Sequence, residues 1–260
     1  MRGGKNMRWM LGWARLAIAG LVILLTALAI LLTSWIPLTK NGARLSAWLT
    51  TAAARWAMAL FNVRYHCANR EVFEKHSGFI FANHISYFDI LMLQAIRPLR
   101  WLSAEENRKI PVIGWVAEAI GTVFVNRGSK ESRAQAREQL LRAEKHPPIV
   151  LFPEGGVGPA NSLQSFRYGA FEIAMAGRTP YLLAAIRYSH AEVIVWGQNE
   201  SLMTTLHRLA RFPGPIQAEV VALNVITPEP TADPKQLATE AHHRIAEAMN
   251  VPPQMESLIM

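Results

Sequence analysis

The chain has 260 residues, enough for one large domain or one domain plus an anchor, and 51% of them are hydrophobic, with a mean hydropathy of +0.12. Twenty-seven basic against nineteen acidic residues leave a formal charge of +8. The basic residues are spread out and no nucleic-acid motif accompanies them, so they fit an anionic lipid surface better than DNA or RNA. The single cysteine, Cys67, excludes an internal disulfide and supplies no metal site.

From Leu16 to Thr39 no side chain is charged. Those 24 residues at ~1.5 Å rise would reach ~36 Å as a helix, against a hydrocarbon core of ~30 Å. Arg2, Lys5, Arg8 and Arg15 precede the run, and Lys40 and Arg44 follow it. A secretory signal is the alternative. The run is longer than a usual signal core, however, and Ser34-Trp35-Ile36-Pro37 is a poor cleavage site, so an anchor is expected. Arg44–Asn62 mixes apolar and small residues with Trp48, Trp56, Met58 and Phe61, which fits a helix in the membrane interface or one that packs on a core. Residues 1–62 are therefore expected to be anchor and interfacial helix, and 63–260 the catalytic domain. The basic N-terminus predicts that it stays inside. One full crossing would put the body outside unless residues 44–62 return it, and the sequence leaves that choice open.

Beyond Phe61, short apolar runs alternate with helical segments. The predicted strands are Gly78–Ala82, Arg100–Ser103, Thr122–Val125, Ile149–Phe152, Tyr181–Ile186, Val193–Trp196 and Gln217–Asn224. Helices are predicted over Phe88–Ile96, Val112–Ala119, Ser129–Lys145, Phe166–Ala176, Leu202–Arg211 and Pro234–Met249. The alternation argues an α/β fold, a three-layer domain with a largely parallel mixed sheet flanked by helices. The cationic helix 129–145 reads as a solvated face, with an acidic carrier protein or a membrane surface as the alternative contact.

Chemistry concentrates where strands end. Asn83-His84-Ile85-Ser86-Tyr87-Phe88-Asp89 follows the first strand of this body, and a histidine with a carboxylate can form a general base and its orienter. Five residues at ~100° each would set the two side chains ~140° apart on a continuous helix. They meet only if His84 lies in the turn before the helix and Asp89 in its first turns. Gly121–Arg127 ends another strand with a cation placed to meet an anion. Phe152-Pro153-Glu154-Gly155-Gly156-Val157-Gly158 is a glycine loop without the lysine of a nucleotide loop, and Glu154 there could bind a hydroxyl or position a substrate. Arg167 adds a cation at an expected helix start. No Gly-x-Ser-x-Gly elbow is present, and the other histidines, His242 and His243 among them, read as surface residues.

Together these stretches resemble the lysophospholipid acyltransferase family of the 1-acylglycerol-3-phosphate acyltransferase type. Asn83-His84 with Asp89 is similar to its Asn-His-x-x-x-x-Asp signature, Gly121–Arg127 to its second block, Phe152-Pro153-Glu154-Gly155 to the start of its third, and Pro180–Ile186 to its fourth. The resemblance covers roughly residues 60 to 220. It implies that His84 takes the proton of an acceptor hydroxyl attacking an acyl thioester, that Asp89 orients His84, and that transfer is direct. It also implies that Asn83, Arg127, Glu154, Gly155 and Arg167 bind substrate, with Arg127 on the acceptor phosphate and Glu154 near the glycerol. No metal or held cofactor is expected; acyl-coenzyme A or acyl carrier protein is a co-substrate. The partners implied are membrane lipid and a lysolipid acceptor, at the inner or cytoplasmic membrane with the active site facing the cytoplasm.

Departures from the pattern bear on the acceptor. Gly156, Val157 and Gly158 replace threonine, arginine and serine, Ala104 stands where a lysine is common, and Leu183 replaces a proline. Each charge-assisted phosphate contact is typically worth ~1.5–3 kcal/mol, so the missing cations matter for a dianionic phosphomonoester. Arg127 or Arg167 can compensate. Alternatively the acceptor carries less charge, as a lysophosphodiester or an amino-acid-containing lysolipid does. Phe152–Gly155, Asn161 and Phe166–Phe171 are also similar to the lysophosphatidylcholine-type branch. The rival of another class is a non-catalytic lipid-binding protein on the same fold.

Overall fold

A computed structural model describes residues 2–33, 35–159, 161–195 and 200–251, with the side chains of 2–6 and 202 left aside. The elements in order are α1 (Arg2–Thr33), β1 (Thr39–Lys40), β2 (Ala43–Arg44), α2 (Leu45–Leu60), β3 (Val63–Ala68), α3 (Arg70–Lys75) and β4 (Phe79–Ala82). Then follow α4 (Phe88–Ile96), β5 (Arg100–Ala104), α5 (Glu105–Arg108), α6 (Ile113–Ala119), β6 (Val123–Val125), α7 (Lys130–Arg142) and β7 (Ile149–Leu151). The last are α8 (Gly169–Ala176), β8 (Tyr181–Tyr188), α9 (Ala191–Ile194), α10 (Leu202–Arg211), β9 (Ile216–Ile226) and α11 (Pro234–Met249).

Apart from the small β1–β2 hairpin, the strands form one seven-stranded sheet in the order β3-β9-β8-β4-β7-β5-β6. Every pairing is parallel except β8 with β9. This is the largely parallel mixed sheet expected. β4, all four residues buried, lies between β7 and β8, and a strand covered on both faces reads as an unbroken apolar run. Its side chains alternate between two cores. Ile80 and Ala82 join Leu182 and Ala184 of β8 beneath α2, α4 and α10; Phe79 and Phe81 join Leu183 and Ala185 beneath α7, α8 and α11. The three layers follow from that alternation.

α2 buries Ala47, Thr51, Ala54 and Met58 at helical spacing against α4, as a core-packing helix does, and leaves Trp56 exposed. Arg55 Nε donates to Ala95 O at 2.8 Å, satisfying a carbonyl at the end of α4. α1 lies along the same side. Arg15 Nη1 donates to Ala210 O and Phe212 O at 3.1 and 2.9 Å, Leu16 and Ala19 pack on the core, and Ile30 is buried near its far end. The outward leucines, Leu21, Leu24, Leu25, Leu31 and Leu32, are exposed. Over Met7–Thr33 the helix is long and apolar enough to cross a membrane.

Several expectations are corrected. Val193 and Ile194 of the predicted strand Val193–Trp196 belong to the helix α9, and β8 already has both neighbours; Trp196 lies outside the described residues. A short apolar run cannot tell strand from buried helix. The helix predicted from Phe166 starts at Gly169, since Arg167 N is tied to Pro153 O at 2.9 Å. The one predicted from Val112 starts at Ile113, because Val112 has a φ of 67°. The helix predicted over 129–145 ends at Arg142; Ser129 caps it through Ser132 N, and Ala143 is extended. β3, α3 and α5 were absent from the prediction. His242 is buried, with Nε2 at 3.3 Å from Leu163 O, and His76 is buried with Nε2 at 2.7 Å from Phe79 O, so neither is a surface residue. His243 is exposed.

Candidate active site

β4, β7, β8 and β6 all point their C-terminal ends at one region, where the parallel part of the sheet leaves open loops. The chain leaves β4 at Ala82, turns through residues 83–87 and enters α4 at Phe88. His84 is thus in the turn and Asp89 in the first turn of the helix, as the five-residue spacing requires.

Asp89 is fully buried, and its carboxylate is the most heavily bonded group of the site. Oδ2 accepts from His84 Nδ1 at 2.9 Å, Ile85 N at 2.8 Å and Ser86 N at 2.9 Å. Oδ1 accepts from the Tyr188 hydroxyl at 2.7 Å. A carboxylate only accepts, so Nδ1 carries the proton and Nε2 is left as the basic nitrogen. Burial first, and then the charge and hydrogen bond of Asp89, push the Tyr188 hydroxyl well above its ordinary pKa, so it stays a donor. The imidazole is stacked on Phe152 with ring centres 3.9 Å apart and an interplanar angle of 7°. Asp89 and Phe152 together fix both the tautomer and the plane of His84.

Glu154, expected to touch substrate, is buried, and backbone amides occupy both of its oxygens. Oε1 accepts from His84 N at 2.6 Å and Oε2 from Gln164 N at 3.1 Å. Its pKa is raised to about 8 by burial, which outweighs the opposing pull of these two bonds; Asp89 raises it further. Asn83 is likewise inside. Its Nδ2 donates to Ile186 O at 3.1 Å and its Oδ1 accepts from Ile186 N at 2.7 Å, fastening the β4 exit to β8. In this geometry Asn83 and Glu154 brace the histidine loop instead of facing a ligand. The physical reason is that a strand-end loop between two neighbours buries amides that need partners.

The arginines stand on the outer side. Arg127 donates through Nη1 to Gly155 O, and Arg167 lies across the other side of the same residue. Gly155 has a φ of 80°, and a Cβ there would sit 2.7 Å from Arg167 Nε. Protein atoms crowd the Arg127 guanidinium although the residue is exposed; this crowding and then the charge of Arg167 lower its pKa, opposed by Glu106. Two cations converge on this one loop, an arrangement whose charge suits an anion. At Gly158 a Cβ would approach Glu154 Oε2 to 2.7 Å, so the glycine found there leaves room for the bracing carboxylate.

Sequence reasoning missed Tyr188. It is 99 positions from Asp89 and sits at the end of an apolar strand, so no local spacing reveals the bond. The stacking role of Phe152 was missed as well, although its motif was recognised.

Residues 64–187 match the family model described as Acyltransferase. A lyso-ornithine lipid O-acyltransferase of Pseudomonas aeruginosa is 38% identical over 110 residues, 41% of this chain and 42% of that protein. A 1-acyl-sn-glycerol-3-phosphate acyltransferase of Neisseria gonorrhoeae is 28% identical over 108 residues, 41% of this chain and 42% of that protein. The crystal structure of a 1-acyl-sn-glycerophosphate acyltransferase from Thermotoga maritima superposes with a TM-score of 0.75 at 18% identity, covering 95% of this chain and 96% of that one, which shows the shared fold. The chain spans about two fifths of the length of the curated relatives it matches first, 42% and 38%. The stretch that matches the acyltransferase family model encloses His84, Asp89, Arg127, Glu154 and Arg167.

Proposed function

We propose that the protein is an O-acyltransferase that moves a fatty acyl group from an acyl thioester, on coenzyme A or an acyl carrier protein, to a free hydroxyl of a lysolipid. The observation that carries this reading is the buried Asp89–His84 pair, with Nδ1 engaged and the ring plane fixed. His84 Nε2 takes the hydroxyl proton as that oxygen attacks the thioester carbonyl. The carbon–sulfur bond then breaks, and the imidazolium returns the proton to the leaving thiolate. Asp89 stabilises the imidazolium, as in hydrolase triads. Transfer is direct and uses neither metal nor held cofactor. Gly155 N and Gly158 N donate to Phe152 O and His84 O, so the amides of Gly156 and Val157 are the ones in that loop left to stabilise the developing oxyanion.

Arg127 and Arg167 hold the anionic group of the acceptor. A lysophosphatidate-like acceptor fits two arginines. An amino-acid-containing lysolipid is the second reading, supported by Gly156, Val157 and Gly158 where further polar and charged residues are usual, and by the higher identity to the lyso-ornithine lipid enzyme. The deciding experiment offers lysophosphatidate, lysophosphatidylcholine and lyso-ornithine lipid with each donor in turn and detects the diacyl product by mass spectrometry. No product from any pair by folded, membrane-bound protein would leave the non-catalytic lipid-binding reading.

We infer that α1 lies along one leaflet with the domain against the same leaflet. Its ties to α10, the core and the region of Ile30 support this, because a helix held along its length by the domain cannot also stand across the bilayer away from it. The N-terminal charges and the active site then share the cytoplasmic side, and no second crossing is needed. Burial of the exposed leucines in acyl chains predicts retention on membranes through a high-salt wash. Release by salt would make the attachment electrostatic.

A further inference from the structure

A second cationic site lies away from His84. Between the N-terminal turns of α1 and the helix α10 is a cleft of about 410 Å³, lined by Arg8, Thr204, His207, Arg208, Arg211 and Phe212 among others. Among the described residues no acidic side chain lines it. That volume is within the range of small-ligand sites.

The helices meet so closely because residue 12 is glycine. A Cβ there would sit 2.6 Å from Arg211 Cγ and 3.4 Å from the His207 ring. Trp9 and Trp13 close the side, with ring centres 6.3 and 4.9 Å from that of His207. Two of the local cations are already committed. Arg15 caps α10 through Ala210 O and Phe212 O, and Arg208 binds Val193 O, Val195 O and Glu200. Arg8 and Arg211 have no carboxylate partner among the described residues, although both line the same cleft. Helix packing thus holds like charges together with the fork geometry that suits a phosphate.

The surroundings choose the source of that phosphate. From the cleft α1 continues as the exposed apolar helix Met7–Thr33, and the half-exposed indoles of Trp9 and Trp13 stand beside Arg8, where indoles and arginines meet lipid headgroups. We propose that this cleft binds the phosphate headgroup of an anionic membrane phospholipid, separately from any acceptor at His84. The proposal rests on the membrane placement of α1 and not on acyl transfer.

The test measures binding of the full chain to phosphatidylcholine vesicles with and without phosphatidylglycerol. Two basic side chains near an anionic surface contribute ~1 kcal/mol each, so Arg8→Gln with Arg211→Gln should weaken binding to the anionic vesicles roughly tenfold or more. Lys130→Gln with Arg142→Gln removes the same charge from α7 and should change it far less. Arg8→Lys with Arg211→Lys keeps the charge but not the fork and should weaken binding less than the glutamine pair does, which separates loss of the site from loss of folding. Equal losses in the two glutamine pairs would reduce the effect to net charge and overturn the site. Binding of inorganic phosphate to detergent-solubilised protein as tight as that of the lipid, and equally dependent on Arg8 and Arg211, would overturn the lipid assignment.

Discussion

The two sides of the candidate active site are built differently. On the inner side Asp89 has four donors, Glu154 has two, Asn83 has two bonds to Ile186, and His84 is clamped on Phe152. On the outer side, exposed Arg127 and Arg167 close on one glycine. Buried, fully bonded groups tolerate little change, because each broken bond leaves an unpaired polar atom. Exposed cations on long side chains can be exchanged at modest cost. In the proposed mechanism, proton transfer is therefore fixed by the core, and the acceptor is chosen at a surface that can vary within the same fold.

The contrast can be broken from the inside first. Asp89→Asn cannot accept from His84 Nδ1, Ile85 N, Ser86 N and Tyr188 alike, and it disturbs the tautomer. Turnover should fall roughly 10³–10⁴-fold, the scale of the same change in a Ser-His-Asp triad. Steady-state kcat with membrane binding as a control checks this, and a loss below tenfold would leave Asp89 a structural role.

Glu154 gives the next effect, read in stability. Its folded pKa of about 8 lies above that of an exposed carboxyl, so the folded state holds the proton after the unfolded chain has released it. Stability from this group is greatest below the unfolded value near 4.5, falls as pH rises from there to about 8, and is level above. The fall amounts to a few kcal/mol, on the order of 1.4 kcal/mol per pKa unit. Chemical unfolding at pH 5 and pH 8 should show it, and Glu154→Gln should flatten the slope. An unchanged slope in the variant would assign the effect elsewhere.

On the outer side, Arg127→Ala and Arg167→Ala should each raise KM for an anionic acceptor roughly tenfold or more and leave kcat close to its original value. A fall confined to kcat would move the arginines to the reacting centre. Tyr188→Phe is the mildest change, since the three donors to Asp89 Oδ2 remain. It should lower kcat several-fold, on the order of 1 kcal/mol, with KM unchanged. A change confined to KM would make Tyr188 a substrate contact.

The same division explains what could be read from the chain. α4, α10 and α11 were predicted with their observed ends. Ser201 caps α10, and Asp233 followed by Pro234 caps α11; both are local signals. β3 escaped because it is an edge strand, with exposed Arg64 and His66 among its buried residues. His84 and Asp89 were legible because they are five residues apart with a strand before them. Glu154 was found, but its direction was not. A carboxylate at a strand end can face a ligand or its own backbone, and only the fold puts His84 N within 2.6 Å. Tyr188 depends on the pairing of β8 with β4, a long-range fact that local spacing does not carry.

The most direct measurement follows a labelled acyl thioester through a single turnover with a lysolipid acceptor, in the wild-type protein and in His84→Ala. The account predicts label in the diacyl lipid and none on the protein for the wild type. In the variant it predicts transfer slower by roughly 10²–10⁴-fold with membrane attachment intact. Label that accumulates covalently on the protein, or a variant that transfers at the wild-type rate, would contradict direct transfer with His84 as the base.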